Sequence, residues 1–571
     1  MTTATLTDIV IVMAVAVVIT LIFGRLRLPT LVGLFVAGAL AGPNTFGLIK
    51  DGEQVQALAE VGVIFLLFTL GLEFSFRRMM RLARVILVAG PLQVLLTGAA
   101  GAGVALALDR SGPQSIVLGM LVALSSTAVV IKTLSERGEV DTPLGRNTLG
   151  VLIFQDILVV PMMLVLPLLA GTGFKTSWNP LTVAAIAVGV IAAAIVGTKW
   201  VAPRLLYEAA RSRSADVFLM VVVAICFAIA ALSAWLGLSL ALGAFLAGLI
   251  ISESVYSHQA LAYIMPFRNL LVSFFFVSVG MLLDLRFLAG YWWMVILFVV
   301  SLMVVKTITG TIAVAALRYP LRLALGTGMG LSQAGEFSFV LAAVAVSHSL
   351  LPRNLEQGFL AVAVLTMAVT PIVMAQTGRV YRLVEKLRLP RWLTLGMTMK
   401  AADHPALSNH LLIVGYGLNG RNLARAAREF GFPYAVVEMN PETVRRETAH
   451  HEPIYFGDAT NEAVLSRAGA TRARAAAVVI GDAAATRSIV AQLRRMSPSL
   501  HIIARTRFLS EVQPLYALGA DDVVPEEFET SIAIFYSTAR HFALPEEEIE
   551  RLAATIRDDH YVLLRRAQED D

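Results

Sequence analysis

The stretch "ALSSTAVV" (Ala123–Val130) lies inside a long apolar segment, yet it carries three adjacent hydroxyls, Ser125, Ser126 and Thr127. An offset of 207 residues leads to "GLSQAGEF" (Gly330–Phe337), inside another apolar segment, where Gly326, Gly328, Gly330 and Gly335 cluster before Glu336. Two further pairs repeat at nearly the same offset. "LPTLVGLFVAGALAG" (28–42) resembles "LSLALGAFLAGLIIS" (238–252), and "FLLFTLGLEF" (65–74) resembles "FFFVSVGMLLD" (274–284). Three collinear pairs make an internal repeat a better reading than chance similarity among Gly/Ala/Leu-rich helices. The offset spans seven apolar segments, an odd number, so the two copies enter the membrane in opposite orientations. Inverted repeats, with a substrate site near the midplane on discontinuous helices, are the architecture of secondary transporters. Glycines and clustered hydroxyls are where a membrane helix breaks and presents its backbone to an ion. Small residues also serve plain helix packing. Finding both stretches at equivalent repeat positions predicts two crossing broken helices.

Composition agrees with this placement. The chain has 571 residues, 57% hydrophobic and 15% charged, with a mean hydropathy of +0.73. Soluble domains are nearer a quarter charged. Thirteen apolar segments are legible, near 6–24, 30–48, 56–74, 85–108, 113–135, 147–171, 181–202, 215–236, 238–253, 265–284, 290–317, 321–347 and 357–378. Most match the ~20 residues that cross a bilayer core. The loops predicted to lie inside carry 15 Lys and Arg, those outside 5. That positive-inside bias sets the N-terminus outside and the C-terminal part in the cytoplasm. The first segment has no basic n-region and no small-residue cleavage site before Arg25-Leu26-Arg27, so it reads as a retained helix. Cys226 is the single cysteine, which excludes disulfides and cysteine-based metal centres.

Ionisable groups within spans cost about 2.5–3.5 kcal/mol each on insertion scales and are functional candidates by default. Asp156, in "VLIFQDILVVP" (Val151–Pro161), is the strongest of them; Glu336, Lys306 and Lys132 follow. A desolvated carboxylate holds either a proton or a monovalent cation, and that competition is the minimum machinery of antiport. Gln155 adds a carbonyl oxygen without a second charge, so one acid implies electroneutral one-for-one exchange. Ser125, Ser126 and Thr127 can complete a cation shell. Glu336 reads equally as a transport residue or as the neutraliser of a helix end or a basic group. Lys306 reads as charge balance, for a membrane acid or for the C-terminal dipole of a half-helix. The spacing does not separate potassium from sodium.

Residues 1–378 form the predicted membrane domain and 379–408 a basic, proline-interrupted linker. From 409 to 571 the pattern alternates strands ("HLLIVGYG", "PYAVVEMN", "PIYFGD", "AAAVVIGD", "HIIART", "DDVVPEE") with amphipathic helices, a parallel, doubly wound, Rossmann-like α/β domain. Gly415-x-Gly417-x-x-Gly420 follows the first strand and opens a helix through Leu418 and Asn419. Glu438 ends the second strand 23 residues after Gly415, and Asp458 ends the third. This context makes the glycines a dinucleotide fingerprint. Phosphates belong at the helix N-terminus. Glu438 should take ribose hydroxyls and disfavour a 2′-phosphate, so NAD(H), AMP or ATP is expected over NADP. There is no nucleophile elbow, no His/Cys cluster and no substrate domain, which makes the tail a regulatory sensor and the protein no enzyme. "VGYG" (414–417) mimics a potassium-channel filter, but between a soluble strand and helix it cannot line a pore. A ligand-gated potassium channel is therefore the weaker alternative; a sodium/proton antiporter of the same fold is the stronger one.

"LAEVGVIFLLFTLGLEF", "ALSSTAVVIKTLSERGE", "VLIFQDILVVPMMLVLPLLA", "LGAFLAGLIISES" and "LSQAGEFSFVL" together resemble the Kef-type branch of bacterial monovalent cation/proton antiporters, as does the tail. The resemblance implies a sodium/proton-antiporter-like homodimer of thirteen-span protomers in the bacterial inner membrane, each with a core domain moving against a dimerisation domain. It further implies potassium/proton exchange, with Asp156 as the ion-binding acid and Gln155, Ser125, Ser126 and Thr127 around it. Glutathione-gated members carry an acidic loop after the span equivalent to 238–253. Here it reads "SESVYSHQAL": His258 is kept, but Gln259-Ala260-Leu261 replaces the acids. Gating mainly by nucleotide is the resulting expectation.

Overall fold

The computed structural model describes all residues except 1–2, 27, 44, 50–52, 74–81, 141, 172–201, 213, 236–239, 253, 386–406, 543 and 567–571. The chain divides into two compact units. One comprises residues 1–133, 147–313 and 327–375; the other comprises 134–146, 314–326 and 376–571.

Among the described residues the first unit is all helical. Nine helices among the described residues are long and apolar enough to cross a membrane, and Thr30–Ala41, Leu240–Ser252 and Glu336–Ser347 are shorter apolar helices. Twelve of the thirteen predicted segments coincide with helices; the seventh, 181–202, lies almost entirely outside the described residues, as does most of the predicted linker. Two segments are each a pair of helices. Gly112–Ala123 and Thr127–Glu136 are interrupted at 124–126, and Leu321–Gly330 and Glu336–Ser347 at 331–335. Leu124 (φ −78°, ψ 148°) and Gly335 (φ −98°, ψ 164°) are both extended, so neither chain continues its helix through the gap. These are the two stretches that the repeat singled out.

The repeat is also legible in the packing. A Cβ on Gly38, in Thr30–Ala41, would lie 2.0 Å from the carbonyl oxygen of Val277, and one on Gly280, in Ser257–Met281, 2.3 Å from that of Phe35. The repeat mates of these glycines are Gly248 and Gly71. A Cβ on Gly248 would lie 2.0 Å from the Phe68 oxygen, and one on Gly71 2.4 Å from the Phe245 oxygen. Each contact joins the short helix of one repeat to a long helix of the other, and the repeat offset exchanges the two contacts. An aromatic core fills the space beside them: Phe35 stacks within 4.5 Å of Phe339 and 5.3 Å of Phe276. Along Leu285–Ala315, Trp292, Trp293, Leu297, Val300, Val304 and Ile308 are exposed, an apolar face suited to hydrocarbon.

The second unit is built on six parallel strands in the order β3-β2-β1-β4-β5-β6: β1 Leu411–Val414, β2 Tyr434–Glu438, β3 Ile454–Phe456, β4 Ala475–Val478, β5 His501–Thr506 and β6 Asp522–Pro525. Helices connect successive strands, as parallel pairing requires. Leu412 and Val414 pack into one core and Ile413 into another, so β1 is buried on both faces. This is the doubly wound sheet that the strand pattern predicted.

The glycine contacts make a clear test. Gly248→Ala sets a methyl against a carbonyl that cannot yield, and overpacking of this kind costs about 1–3 kcal/mol or more. Its unfolding temperature in detergent should fall well below that of the parent. Gly103→Ala, which meets open space on a helix, should hold or raise that temperature.

Candidate functional site

The first broken stretch is fixed by groups far away in sequence. Ser125 N donates to Gln155 Oε1 at 2.7 Å, and Ser125 Oγ donates to the Leu331 carbonyl at 2.9 Å. Gln155 Nε2 donates to Gln93 Oε1 at 2.6 Å. Gln93 Nε2 in turn donates to Thr97 Oγ1 at 3.0 Å and to the Ala123 carbonyl at 3.3 Å, and Thr97 and Thr309 share a 2.7 Å hydroxyl contact. All of these side chains are buried. Residues 124–126 leave their helix, so their backbone groups need other partners, which this chain of amides and hydroxyls supplies.

Lys306 closes the other side. Its Nζ donates to the carbonyls of Val122 at 2.8 Å and Leu124 at 2.6 Å, at the C-terminal end of Gly112–Ala123. A cation is favoured there by the orphan carbonyls and the negative end of the helix dipole.

The two carboxylates meet the opposite kind of helix end. Thr127 opens the helix Thr127–Glu136, and its Oγ1 lies 3.0 and 3.2 Å from the two carboxylate oxygens of Asp156. The next residue, Ala128, donates its N–H to Glu336 Oε1 at 3.3 Å. Glu336 Oε2 is buried and has no hydrogen-bond partner among the described residues. Asp156 and Glu336 therefore share one positive half-helix end, and one oxygen there still lacks a donor. The second stretch is tied down by Gln333 Nε2 to the Ser126 carbonyl at 3.4 Å, Thr370 Oγ1 to Gln333 Oε1 at 3.3 Å, and Ala334 N to Thr366 Oγ1 at 3.3 Å. A Cβ on Gly335 would lie 2.7 Å from the Ser125 carbonyl carbon, so the two breaks cross at these residues.

The sequence-derived candidates thus gather around one crossing, in different stations. Thr127 touches Asp156. Ser125 and Gln155 form a separate contact, in which the amide oxygen already accepts an N–H. The Ser126 hydroxyl accepts from Val129 N at 3.2 Å. Gln93, Thr97, Thr309, Thr366 and Thr370 were not singled out. Gln93 carried the same signal as Gln155, an amide in an apolar run ("GPLQVLL"); a lone threonine in a span carries almost none.

In the second unit, Gly415 adopts φ +100°, a conformation open to glycine. A Cβ on Gly420 would lie 1.9 Å from the Gly415 oxygen, so helix and turn approach as the fingerprint predicted. Gly417 is the N-cap of Leu418–Phe430 and faces open space, a cradle that a side chain would fill; Leu418 and Asn419 are the first helical residues. Glu438 Oε2 accepts from Tyr416 N at 2.7 Å, and Oε1 accepts from Met439 N at 2.8 Å and Asn440 N at 2.7 Å. A carboxylate offers about four lone-pair sites, so capacity for a hydroxyl donor remains. Asp458 Oδ1 accepts from the N–H and hydroxyl of Thr460 at 2.9 and 2.7 Å, while its buried Oδ2 has no hydrogen-bond partner among the described residues. These residues fit a nucleotide: open backbone for phosphate and unfilled carboxylate oxygens for hydroxyl or amine donors.

Residues 11–377 match the family described as sodium/hydrogen exchanger, transmembrane. The chain belongs to that family, in its Kef-type branch. Residues 411–526 match the TrkA-N domain. A putative K(+) efflux antiporter KefB of Alkalimonas amylolytica is 30% identical over 98% of this chain and 85% of its own length. A glutathione-regulated potassium-efflux system protein of Haemophilus influenzae is 30% identical over 97% of this chain and 89% of its own. The sodium proton antiporter MjNhaP1 of Methanocaldococcus jannaschii shares the fold, with a TM-score of 0.51 at 16% identity over 67% of this chain and 99% of that one. The Kef-type chain is thus a membrane antiporter with a TrkA-N domain at its C-terminal side.

Replacing Lys306 by Met should leave the Val122 and Leu124 carbonyls without donors. An orphaned buried acceptor costs about 1–3 kcal/mol. Thermal unfolding in detergent should show a loss of that order for Lys306→Met.

Proposed function

We propose that the protein exchanges potassium for protons one for one, with Asp156 as the acid that holds each in turn. The observation carrying this reading is the Asp156–Thr127 contact at a half-helix N-terminus, beside the unpartnered Oε2 of Glu336. The positive helix end stabilises a carboxylate once its proton leaves, and the crossing of two broken helices offers oxygens for a cation. Cation and proton then exclude each other from one carboxylate, which couples their flows. Lys306 balances the opposite helix end, and Gln155 holds the break in shape. Potassium is favoured over sodium because the relatives covered along most of their length are named as potassium efflux proteins. Residues 1–378 would carry transport, 379–408 would link, and 409–571 would bind NAD(H), AMP or ATP at Gly415–Gly420 and Glu438 and regulate. The charge bias favours an outside N-terminus and a cytoplasmic nucleotide domain in a bacterial inner membrane, and the family resemblance favours a homodimer.

In everted vesicles, addition of K⁺ should collapse an imposed ΔpH, with Na⁺, Li⁺ and Rb⁺ as comparison arms. Asp156→Asn should abolish the collapse; exchange at the parental rate would remove Asp156 from the site. If only Asp156 exchanges its proton, the rate should be insensitive to membrane potential. A clear voltage dependence would bring Glu336 into the stoichiometry. On the full chain, Glu438→Ala should weaken AMP and NADH binding about tenfold or more, because an acceptor for a charge-assisted hydrogen bond is lost. Unchanged affinity would detach Glu438 from the nucleotide.

A further inference from the structure

The second unit contains an arginine that does not come from the Rossmann-like domain. Arg322 is the second residue of the helix Leu321–Gly330, which follows Pro320. Its Nη1 lies 3.9 Å from Asp458 Oδ1, and its Nη2 donates to Asp482 Oδ2 at 3.3 Å. The side chain is largely buried, 18% exposed. Asp458 follows β3 and Asp482 follows β4, and in the sheet order β2 and β1 lie between those strands. A guanidinium that reaches both carboxylates therefore bridges the C-terminal edge across the position of β1, whose end leads into Gly415. That edge is where a doubly wound sheet takes its ligand.

Both carboxylates have other commitments. Asp482 caps the helix Ala483–Met496 through Oδ1, which accepts from Ala485 N at 2.9 Å. Asp458 keeps a buried oxygen with no hydrogen-bond partner among the described residues. Arg137 and Glu139, paired at 3.3 Å, also face the cluster. Burial pushes the Glu139 carboxyl up to about 7, against Arg137, with Asp482 adding to the rise and Arg322 opposing it. Below that pH Glu139 is neutral, and Arg322 answers chiefly to the two aspartates.

We infer that Arg322 is the residue that reads nucleotide occupancy: it exchanges its bridge between Asp458 and Asp482 for the phosphate of a bound adenine nucleotide. Guanidinium binds phosphate through paired N–H donors at least as well as it binds carboxylate. Its departure frees Asp458 for the donors of the adenosine moiety. The same helix runs on to Gly330, and the next residue, Leu331, gives its carbonyl to Ser125 in the ion site. Movement of Arg322 thus acts on a helix that is continuous with the second broken stretch. The inference rests on the nucleotide reading of Gly415–Gly420 and Glu438.

The test uses the full-length protein in proteoliposomes, with AMP and adenosine as probes and ΔpH-driven K⁺ exchange as a second readout. Arg322→Gln should weaken AMP binding about tenfold, the weight of a charged hydrogen bond, and change adenosine binding less than about twofold. The ratio of exchange rates with and without AMP should become one. Asp482→Asn should act in the opposite direction, tightening AMP binding by loosening the competing bridge. Wild-type AMP binding with an unaltered AMP response in Arg322→Gln overturns the inference while leaving the nucleotide site intact, as do shifts of the same sign in both variants. No AMP binding by the wild type overturns the nucleotide reading itself and this inference with it. If Arg322→Gln does not fold, Asp482→Asn decides: tighter AMP binding supports the exchange, and unchanged or weaker binding refutes it.

Discussion

A helix that breaks within hydrocarbon must find new partners for its freed N–H and C=O groups, because no water is there to take them. The crossing of residues 124–126 with 331–335 meets that demand. Ser125 spends its N–H on Gln155 and its hydroxyl on Leu331, and Gly335 lets the two backbones touch. Once the breaks are satisfied, the four half-helices leave two kinds of end near one another. Lys306 occupies a negative end and Asp156 with Glu336 a positive one. The electrostatic character of the candidate site thus follows from backbone polarity, and its side chains answer that polarity.

Much of this was legible in the sequence because it is written in local composition. Three hydroxyls in a row and a glycine cluster at equivalent repeat positions mark where an apolar helix can break, so the breaks could be located before any contact was known. Asp156 stood out for the same reason, as a charge in an apolar run. The functions of Gln155 and Gln93 were less accessible. Gln155 looked like a spare oxygen and Gln93 was not singled out, whereas the structure joins them into a relay that holds Ser125. Their partners lie 30 and 62 residues away, and no periodicity reports a contact at that distance. Glu336 was undecidable for a related reason: its role depends on Ala128, from the other repeat.

The nucleotide domain was read more completely, since its signal is compact. A strand, three glycines, a helix and an acid at the end of the next strand occupy a short stretch, and each position has one steric or electrostatic requirement. What the pattern could not reveal is that Glu438 already serves the turn, accepting N–H groups from Tyr416, Met439 and Asn440. This carboxylate shapes the turn that follows the first strand. In the sequence Arg322 is only one of the 15 basic residues of the inner loops, because a residue far upstream has no mark connecting it to β3 and β4.

The exchanged glycine contacts bear on how such a chain is assembled during synthesis. Gly38 and Gly71 of the first repeat find their partners, Gly280 and Gly248, only in the second. When the first repeat enters the bilayer, those faces have nothing of their own against which to close. Each helix is stable as a separately inserted segment, so the early copy can wait as a loose set of spans. These glycine contacts close only when the second copy supplies both missing surfaces. A chain truncated between the repeats would therefore insert with its glycine grooves left open.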